Sequence, residues 1–337
     1  MTRPRVRTAD GSGERHLPSY DLFSGTEILG KLALEKMLAG LSSRRYVRGL
    51  EPAGQAVEEA AVATSKSAVS RRFVAATETA LAELMSKRLD DLDLVAFMVD
   101  GVHFGESTCV VALGIGIDGV KHPLAVEEGS TENATLVTGL RDRGLDVTKP
   151  VLAVLDGSKA LAEAVKDVFD TPLIQRCQEH KIRNVKDKLP EKLRAVTERR
   201  MRQAYHAESA LKAEGLLTAL AAELDKTHPG AASSLREGMA ETLTILRLGV
   251  PPTLARTLRS TNTIESMIEI CREHSKNVKR WRDGTMALRW CAAGMIEAGH
   301  QFRRVNGHLH LPKLRAALDA HFKNVTAVSQ NEGQKAA

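Results

Sequence analysis

LVAFMVDG at residues 94–101 and VLAVLDG at residues 151–157 decide how this chain is read. Each is a short apolar run, Leu94–Val99 or Val151–Leu155, that stops at an Asp followed by a Gly. Runs of this length suit a buried strand and are far too short to span a membrane. Carboxylates are seldom buried without a partner. Two of them, Asp100 and Asp156, at the ends of two central strands point to a shared task, and the usual one is holding a hard divalent cation. Either Asp taken alone is also readable as a helix cap or turn former of an α/β domain.

The pattern around these runs predicts strands at 94–99, 108–117, 120–126, 151–155 and 172–176, with helices at about 131–143 and 158–169. Asp118-Gly119 is a strong hairpin turn between the second and third strands. Three strands containing a hairpin, followed by alternating helix and strand, predict an α/β domain with a mixed sheet covered by helices. That order is the order of the ribonuclease H-like fold, in which the first and fourth strands lie side by side. By that analogy Asp100 and Asp156 come together.

The flanks read differently. Residues 1–20 are basic, turn-rich and aperiodic, and are expected to form a flexible arm. A helix is predicted from about Ser24 to Ala39, ended by Gly40. Residues 21–90 form a helical region. Within it, 51–78 reads either as an ordinary helical hairpin or as a helix-turn-helix, with one helix through Ala56–Ala63 and a second capped by Thr64-Ser65. In the second reading Lys66, Ser67, Ser70 and Arg71 face DNA. The sheet domain occupies 91–179 and resumes at 253–325. Between them, 180–252 has almost no strand character and is predicted to be an all-helical insertion closed by Pro251-Pro252. Residues 326–337 are expected to be a disordered tail.

After the insertion comes STNTIES at 260–266. Ser260, Thr261 and Asn262 can each cap a helix. With Asn262 as the cap, Glu265 stands where a capping box places its glutamate. Alternatively Glu265 completes a metal-binding triad with Asp100 and Asp156; Glu269, one turn on, is the rival. Three carboxylates at one sheet edge can hold two Mg²⁺ ions for an in-line displacement at phosphorus.

The 337 residues carry 48 Lys and Arg against 42 Asp and Glu, and the excess is uneven. Stretches 176–203 and 256–304 each hold ten basic residues, against four and five acidic ones. They suit a phosphate backbone, or are solvated helical faces. Lys276, Lys279, Arg280, Arg282 and Arg289 cluster around Trp281 and Trp290, which either contact DNA or pack in the core. Arg303, Arg304 and His308 either touch phosphates or are solvated. The four cysteines form no CxxC pair and are expected to be reduced thiols. Nothing resembles a leader or a membrane span, so the protein is expected in the cytoplasm, associated with the nucleoid.

Asp100-Gly101, Asp156-Gly157, RCQEHKIRNV at 176–185 and STNTIES, in this order and with a helical gap before the glutamate, resemble the mutator-type transposases of bacterial insertion sequences. The resemblance covers roughly 22–320. It implies a ribonuclease H-like catalytic core interrupted by an all-helical insertion, and a catalytic, metal-binding triad of Asp100, Asp156 and Glu265. It also implies two Mg²⁺ ions, for which Mn²⁺ can substitute. Cys177 and His180 match the family's C-x₂-H element. They are readable as accessory groups near the carboxylates, as contacts to a base or phosphate, as packing, or as half of a zinc site lacking a second pair. Against the family pattern, the stretch before Ser19 and the helix in 131–145 are short. The implied activity is cleavage at terminal inverted repeats and strand transfer to target DNA, by a homodimer or larger assembly on double-stranded DNA, with no membrane involved. A nuclease or resolvase of the same fold, or a degenerate DNA-binding relative, are the alternatives.

Overall fold

The computed structural model describes residues 6–8, 10, 12–15, 26–50, 65–129 and 133–335, with side chains to Lys323. Its centre is a five-stranded sheet: β1 (Leu94–Phe104), β2 (Ser107–Gly116), β3 (Lys121–Glu128), β4 (Val151–Leu155) and β5 (Pro172–Arg176). The spatial order is β3-β2-β1-β4-β5. The first three strands pair antiparallel, and β4 and β5 join β1 in parallel. The first and fourth strands are therefore neighbours, as anticipated. The β2–β3 hairpin turns at Gly119, whose φ of 81° suits glycine, while Asp118 Oδ1 accepts the Val120 N–H at 2.9 Å.

Helices cover both faces, which is why the strands read as continuous apolar runs. Leu94, Phe97 and Val99 of β1, with Val151, Ala153 and Leu155 of β4, pack under α3 (Asn133–Asp142) and α4 (Lys159–Val168). Ala96, Met98 and Val102, with Leu152 and Val154, face the opposite layer. That layer contains α11 (Pro252–Leu258), α12 (Asn262–Ser275), α13 (Gly284–Gln301) and α14 (Leu311–Lys335). The alternation sets which face each strand residue belongs to. Asp100 shares parity with Met98 and so belongs to the α12 face, while Asp156 follows β4 in the turn into α4.

Two corrections concern strand and chain ends. Asp100 does not end its strand. β1 runs on to Phe104, pairing Asp100 with Val111 and Gly101 with Val110, because β2 is long enough to continue the ladder. What stops near Asp100 is the parallel pairing, whose last partners are Val99 and Leu155. The tail is not disordered throughout: α14 continues to Lys335.

Before the sheet lie α1 (Thr26–Leu38), ended by Gly40, and α2 (Lys66–Ser86). Ser65 caps α2 by accepting the Ala68 N–H at 3.3 Å. Val69, Phe73, Thr77, Ala80 and Leu84 bury one stripe of α2, with Phe73 against Trp290 of α13. The expected Ala56–Ala63 helix and Thr64 lie outside the described residues. Part of the arm at 1–20 forms a two-residue ladder, Val6–Arg7 with Glu14–Arg15.

Between β5 and α11 the chain is helical: α5 (Gln178–Lys186), α6 (Glu191–Tyr205), α7 (Ala210–Asp225), α8 (Pro229–Arg236) and two single turns, α9 (Met239–Thr242) and α10 (Thr244–Arg247). They enclose their own core of Ile182, Val185, Met201, Leu217, Leu220 and Leu235.

One buried cation ties the layers together. Arg143 donates from Nε to Gly139 O at 3.0 Å, from Nη1 to Leu84 O at 2.9 Å and from Nη2 to Leu124 O at 2.7 Å. Arg143→Leu leaves the Leu84 and Leu124 carbonyls without that donor, and charge-assisted bonds of this kind contribute about 1.5–3 kcal/mol each. We expect the variant to lose at least about 2 kcal/mol in denaturant unfolding. A loss below about 0.5 kcal/mol would mean the clamp is replaceable.

Candidate active site

The site follows from the β1–β4 register. With Val99 opposite Leu155, the next residues on the two strands are Asp100 and Asp156, on strands about 4.8 Å apart. Each carboxylate is half-buried and has one oxygen held by backbone. Asp100 Oδ1 accepts the Gly101 N–H at 2.8 Å. Asp156 Oδ1 accepts the Ser158 N–H at 2.8 Å, in a turn that leads into α4. The turn-forming reading of Asp156 is thus realised, and it uses only one oxygen. Gly157 stands at φ 114° in that turn, and a Cβ there would lie 2.3 Å from Arg176 Nε. Only glycine lets the turn close over Arg176.

Glu265 arrives from the other side of the layer. α12 buries Ile264, Met267, Ile268 and Cys271 against the sheet, which leaves Glu265 half-buried at the rim of that stripe. Glu269 is exposed and sits 3.8 Å from Arg272, so the rival carboxylate is turned to solvent. The capping box is not formed. Thr261, rather than Asn262, is the N-cap and makes no side-chain cap bond. The Glu265 carboxylate instead accepts from Thr261 Oγ1 at 2.7 Å.

Cys177 and His180 lie against the same residue. Thr261 N and Oγ1 are each 3.4 Å from Cys177 Sγ, and Oγ1 is 3.3 Å from His180 Nδ1. Backbone fixes the junction: Cys177 N–H donates to Leu155 O at 2.7 Å and Gln178 N–H to Arg259 O at 3.0 Å. The C-x₂-H element therefore bridges the end of β4, the end of β5 and the start of α12. Sequence reading singled out Cys177, His180 and Glu265 but treated Thr261 only as a cap. The polar STN triplet before an apolar helix was the available signal, and it is ambiguous by itself.

The electrostatics centre on Asp100. Burial pushes its carboxyl up to about 6, and the neighbouring charges of Asp156 and Glu265 add to the rise, against the Gly101 hydrogen bond and His180. The interaction with His180 on Cys177 raises the imidazole above its ordinary value despite burial. Burial would raise the Cys177 thiol, and the hydrogen bonds from His180 and Thr261 outweigh it and hold it low. Asp156, Glu265 and His180 are thus each within the field of Asp100. Among the described residues, however, no group of three or more His, Cys, Asp or Glu side chains is drawn together closely enough to hold a metal ion.

The basic surface is narrower than composition implies. In 176–203, the buried Arg176 and Lys181 pair with the exposed Glu237, Lys186 is paired with Glu198, Arg194 with Glu191, Arg200 with Glu223, and Arg202 with Glu179 and Glu198. Burial pushes Lys181 down to about 8, with Arg176 nearby contributing. Much of this stretch therefore holds helices together rather than facing a partner. A cavity of about 280 Å³ beside Gly157 is balanced in the same way, with Lys159 and Arg176 near Glu237 and Lys166 on Glu163.

Lys279, Arg280 and Arg282, on the α12–α13 connection, are exposed and carry no ion pair among the described residues. Lys276 is exposed but paired with Glu273. Lys66 and Arg71 are exposed at the start of α2. Trp290 and Arg289 are buried, so neither contacts a ligand; Trp281 is half-buried on Phe104, 4.9 Å between centroids. Arg303 and Arg304 are exposed, and His308 is half-buried. Among the described residues no helix is long and apolar enough to cross a membrane.

The pattern of the family described as transposase, Mutator family, matches residues 31–305. The chain is 28% identical over 246 residues to the transposase for insertion sequence element IS6120 of Mycolicibacterium smegmatis, which takes in 70% of this chain and 75% of that protein. It is 25% identical over 312 residues to the transposase for ISRM5 of Rhizobium meliloti, 91% of this chain and 77% of that one. With the transposase for IS256 in transposon Tn4001 of Staphylococcus aureus it shares 24% over 278 residues, 78% and 68% of the two chains.

The raised Asp100 carboxyl has a consequence for stability. Its folded value, about 6, exceeds the ordinary 3.8. The folded state therefore holds a proton that the unfolded chain releases, and stability falls as pH rises from about 4 to about 6. Without divalent cation, Asp100→Asn should remove this fall and raise the denaturant midpoint at pH 7.5. The gain should be on the order of 1–3 kcal/mol. An Asn variant that is less stable than the parent at pH 7.5 would contradict this.

Proposed function

The chain belongs to the Mutator family of transposases, and from that premise we propose that it cuts DNA at the terminal inverted repeats of its own element and joins the freed ends to a target. In this reading the mixed sheet is a ribonuclease H-like core, and Asp100, Asp156 and Glu265 are its catalytic carboxylates. The observation that supports it is the register of β1 on β4, whose last pair, Val99 with Leu155, is followed on both segments by a carboxylate, Asp100 and Asp156.

The donor set fits a hard divalent cation: three carboxylates, with neither sulfur nor imidazole among them. Burial pushes the Asp100 carboxyl up to about 6, and the acidic neighbours Asp156 and Glu265 add to the rise. Asp100, Asp156 and Glu265 would hold Mg²⁺ or Mn²⁺. When bound, such ions supply a lowered pKa for the attacking hydroxyl and stabilisation of the leaving oxygen.

The chain's own residues divide the remaining work. Asp100 and Asp156, each with one oxygen fixed by a backbone N–H, present the other to the site. His180 places positive charge beside Asp100. Lys279, Arg280 and Arg282 would contact phosphates, and Lys66 and Arg71 would meet the element's ends at the N-terminus of α2. Two DNA ends must be joined in one event, so the working species is a dimer or larger assembly.

Two experiments test this reading. Asp100→Asn, Asp156→Asn and Glu265→Gln should each abolish Mg²⁺-dependent cleavage and joining of DNA carrying the element's ends, and leave DNA affinity nearly intact. Cleavage retained in all three would refute the triad. Cleavage without joining by the unmodified protein identifies a nuclease, and neither activity identifies a DNA-binding relative. In the second, neutralising Lys279, Arg280 and Arg282 together should weaken binding to terminal and unrelated DNA alike. It should also reduce the slope of log affinity against log salt by up to about 2.7, at about 0.9 per phosphate contact. Lys66→Ala with Arg71→Ala should harm terminal DNA more. Equal losses on both DNAs would remove α2 from recognition.

A further inference from the structure

Thr261 is where the two halves of the site meet. It is fully buried, and its side chain does not cap the helix it begins. A hydroxyl has one proton to give and two lone pairs. Glu265 as a carboxylate only accepts, so the 2.7 Å contact takes the Thr261 proton. The Thr261 backbone N–H serves Cys177 Sγ. The hydroxyl oxygen also lies 3.4 Å from Cys177 Sγ; with its proton on Glu265 it is left to accept, and His180 Nδ1 at 3.3 Å is the ring nitrogen placed to donate in the Nδ1–H tautomer. In the Nδ1–H tautomer the donors run from His180 Nδ1–H to Thr261 Oγ1–H to Glu265 Oε1.

A free Glu side chain has rotamer freedom worth up to about 2 kcal/mol. An anchor that removes it before a ligand arrives makes the carboxylate ready to bind. We infer that Thr261 is a positioning residue of the site: its hydroxyl holds the Glu265 carboxylate in one rotamer and orients the His180 imidazole, coupling the β5–α5 junction to α12. This rests on the reading of Glu265 as a ligand. The hydroxyl is not needed for the fold nearby, since the Cys177–Leu155 and Gln178–Arg259 backbone bonds hold the junction without it.

Thr261→Val removes the hydroxyl at constant shape, and Thr261→Ser keeps it. Mn²⁺ binding to the full chain, read from the electron paramagnetic resonance of free Mn²⁺, should weaken about 10-fold in Thr261→Val. In Thr261→Ser it should stay within about threefold of the parent. Nitrogen-15 spectra of labelled histidine, with His180 assigned by a His180→Gln variant, should show the Nδ1–H form in the parent and Thr261→Ser and lose that preference in Thr261→Val. If Thr261→Val binds Mn²⁺ as the parent does while Glu265→Gln does not, the positioning role is overturned and the triad stands. If Glu265→Gln also binds normally, the triad reading itself has failed. Should Thr261→Val not fold, a Thr261→Ser protein that has lost Mn²⁺ affinity 10-fold, or lost the Nδ1–H form, would overturn the role, and one that keeps both supports it.

Discussion

Four parallel pairs between β1 and β4, from Ala96 with Leu152 to Val99 with Leu155, carry the organisation of this molecule. Parallel neighbours cannot be joined by a tight turn, so the chain between them must leave the sheet and return. Here it does so through β2, β3 and α3, which extend the sheet on one side and cover one face. The ladder is apolar on both faces and ends one residue short of two carboxylates. Water is thereby excluded from one side of Asp100 while its neighbours are acidic, which is why burial and like charge together raise it.

Around that edge the chain distributes its charges by use. The end of β5 and the helical segment after it hold several of their cations in internal pairs, on Glu237 and Glu198 among others. Lys181 is wholly buried, donating to the Ser234 carbonyl at 2.7 Å. Lys279, Arg280 and Arg282 of the α12–α13 connection are instead exposed and carry no ion pair among the described residues. A formal charge of +6 describes neither region.

The aromatic residues show the same economy. With only 4% aromatic content the molecule is mostly aliphatic inside. Phe73, Trp290, Trp281 and Phe104 form a row, with centroids 4.5, 6.3 and 4.9 Å apart, that joins α2 to α13 and to the β1–β2 hairpin. Arg289 donates to Thr77 within the same contact at 2.8 Å. The helix whose start carries Lys66 and Arg71 is thus braced against the same body that holds Glu265.

Local chemistry determined much of this in the sequence. Apolar runs bounded by Asp-Gly located the strands, because strand length and turn residues are local properties. The same holds for the Asp118-Gly119 hairpin and for the helices that alternate with β4 and β5. Residues whose role depends on what lies opposite were not legible. Asp100 looked like a strand end, and only β2 across from it shows that β1 continues. Glu265 fitted a capping box by spacing, and only the cap's true position at Thr261 and the hydroxyl between them exclude it. The basic stretch 176–203 was readable as a phosphate-binding face or a solvated one; folding pairs several of its cations, some with carboxylates of the same stretch and others with Glu223 and Glu237 further along the chain. Spacing along the chain sets what each residue can do, whereas hydrogen bonds and ion pairs between segments far apart in sequence exist only once the sheet has set those segments side by side.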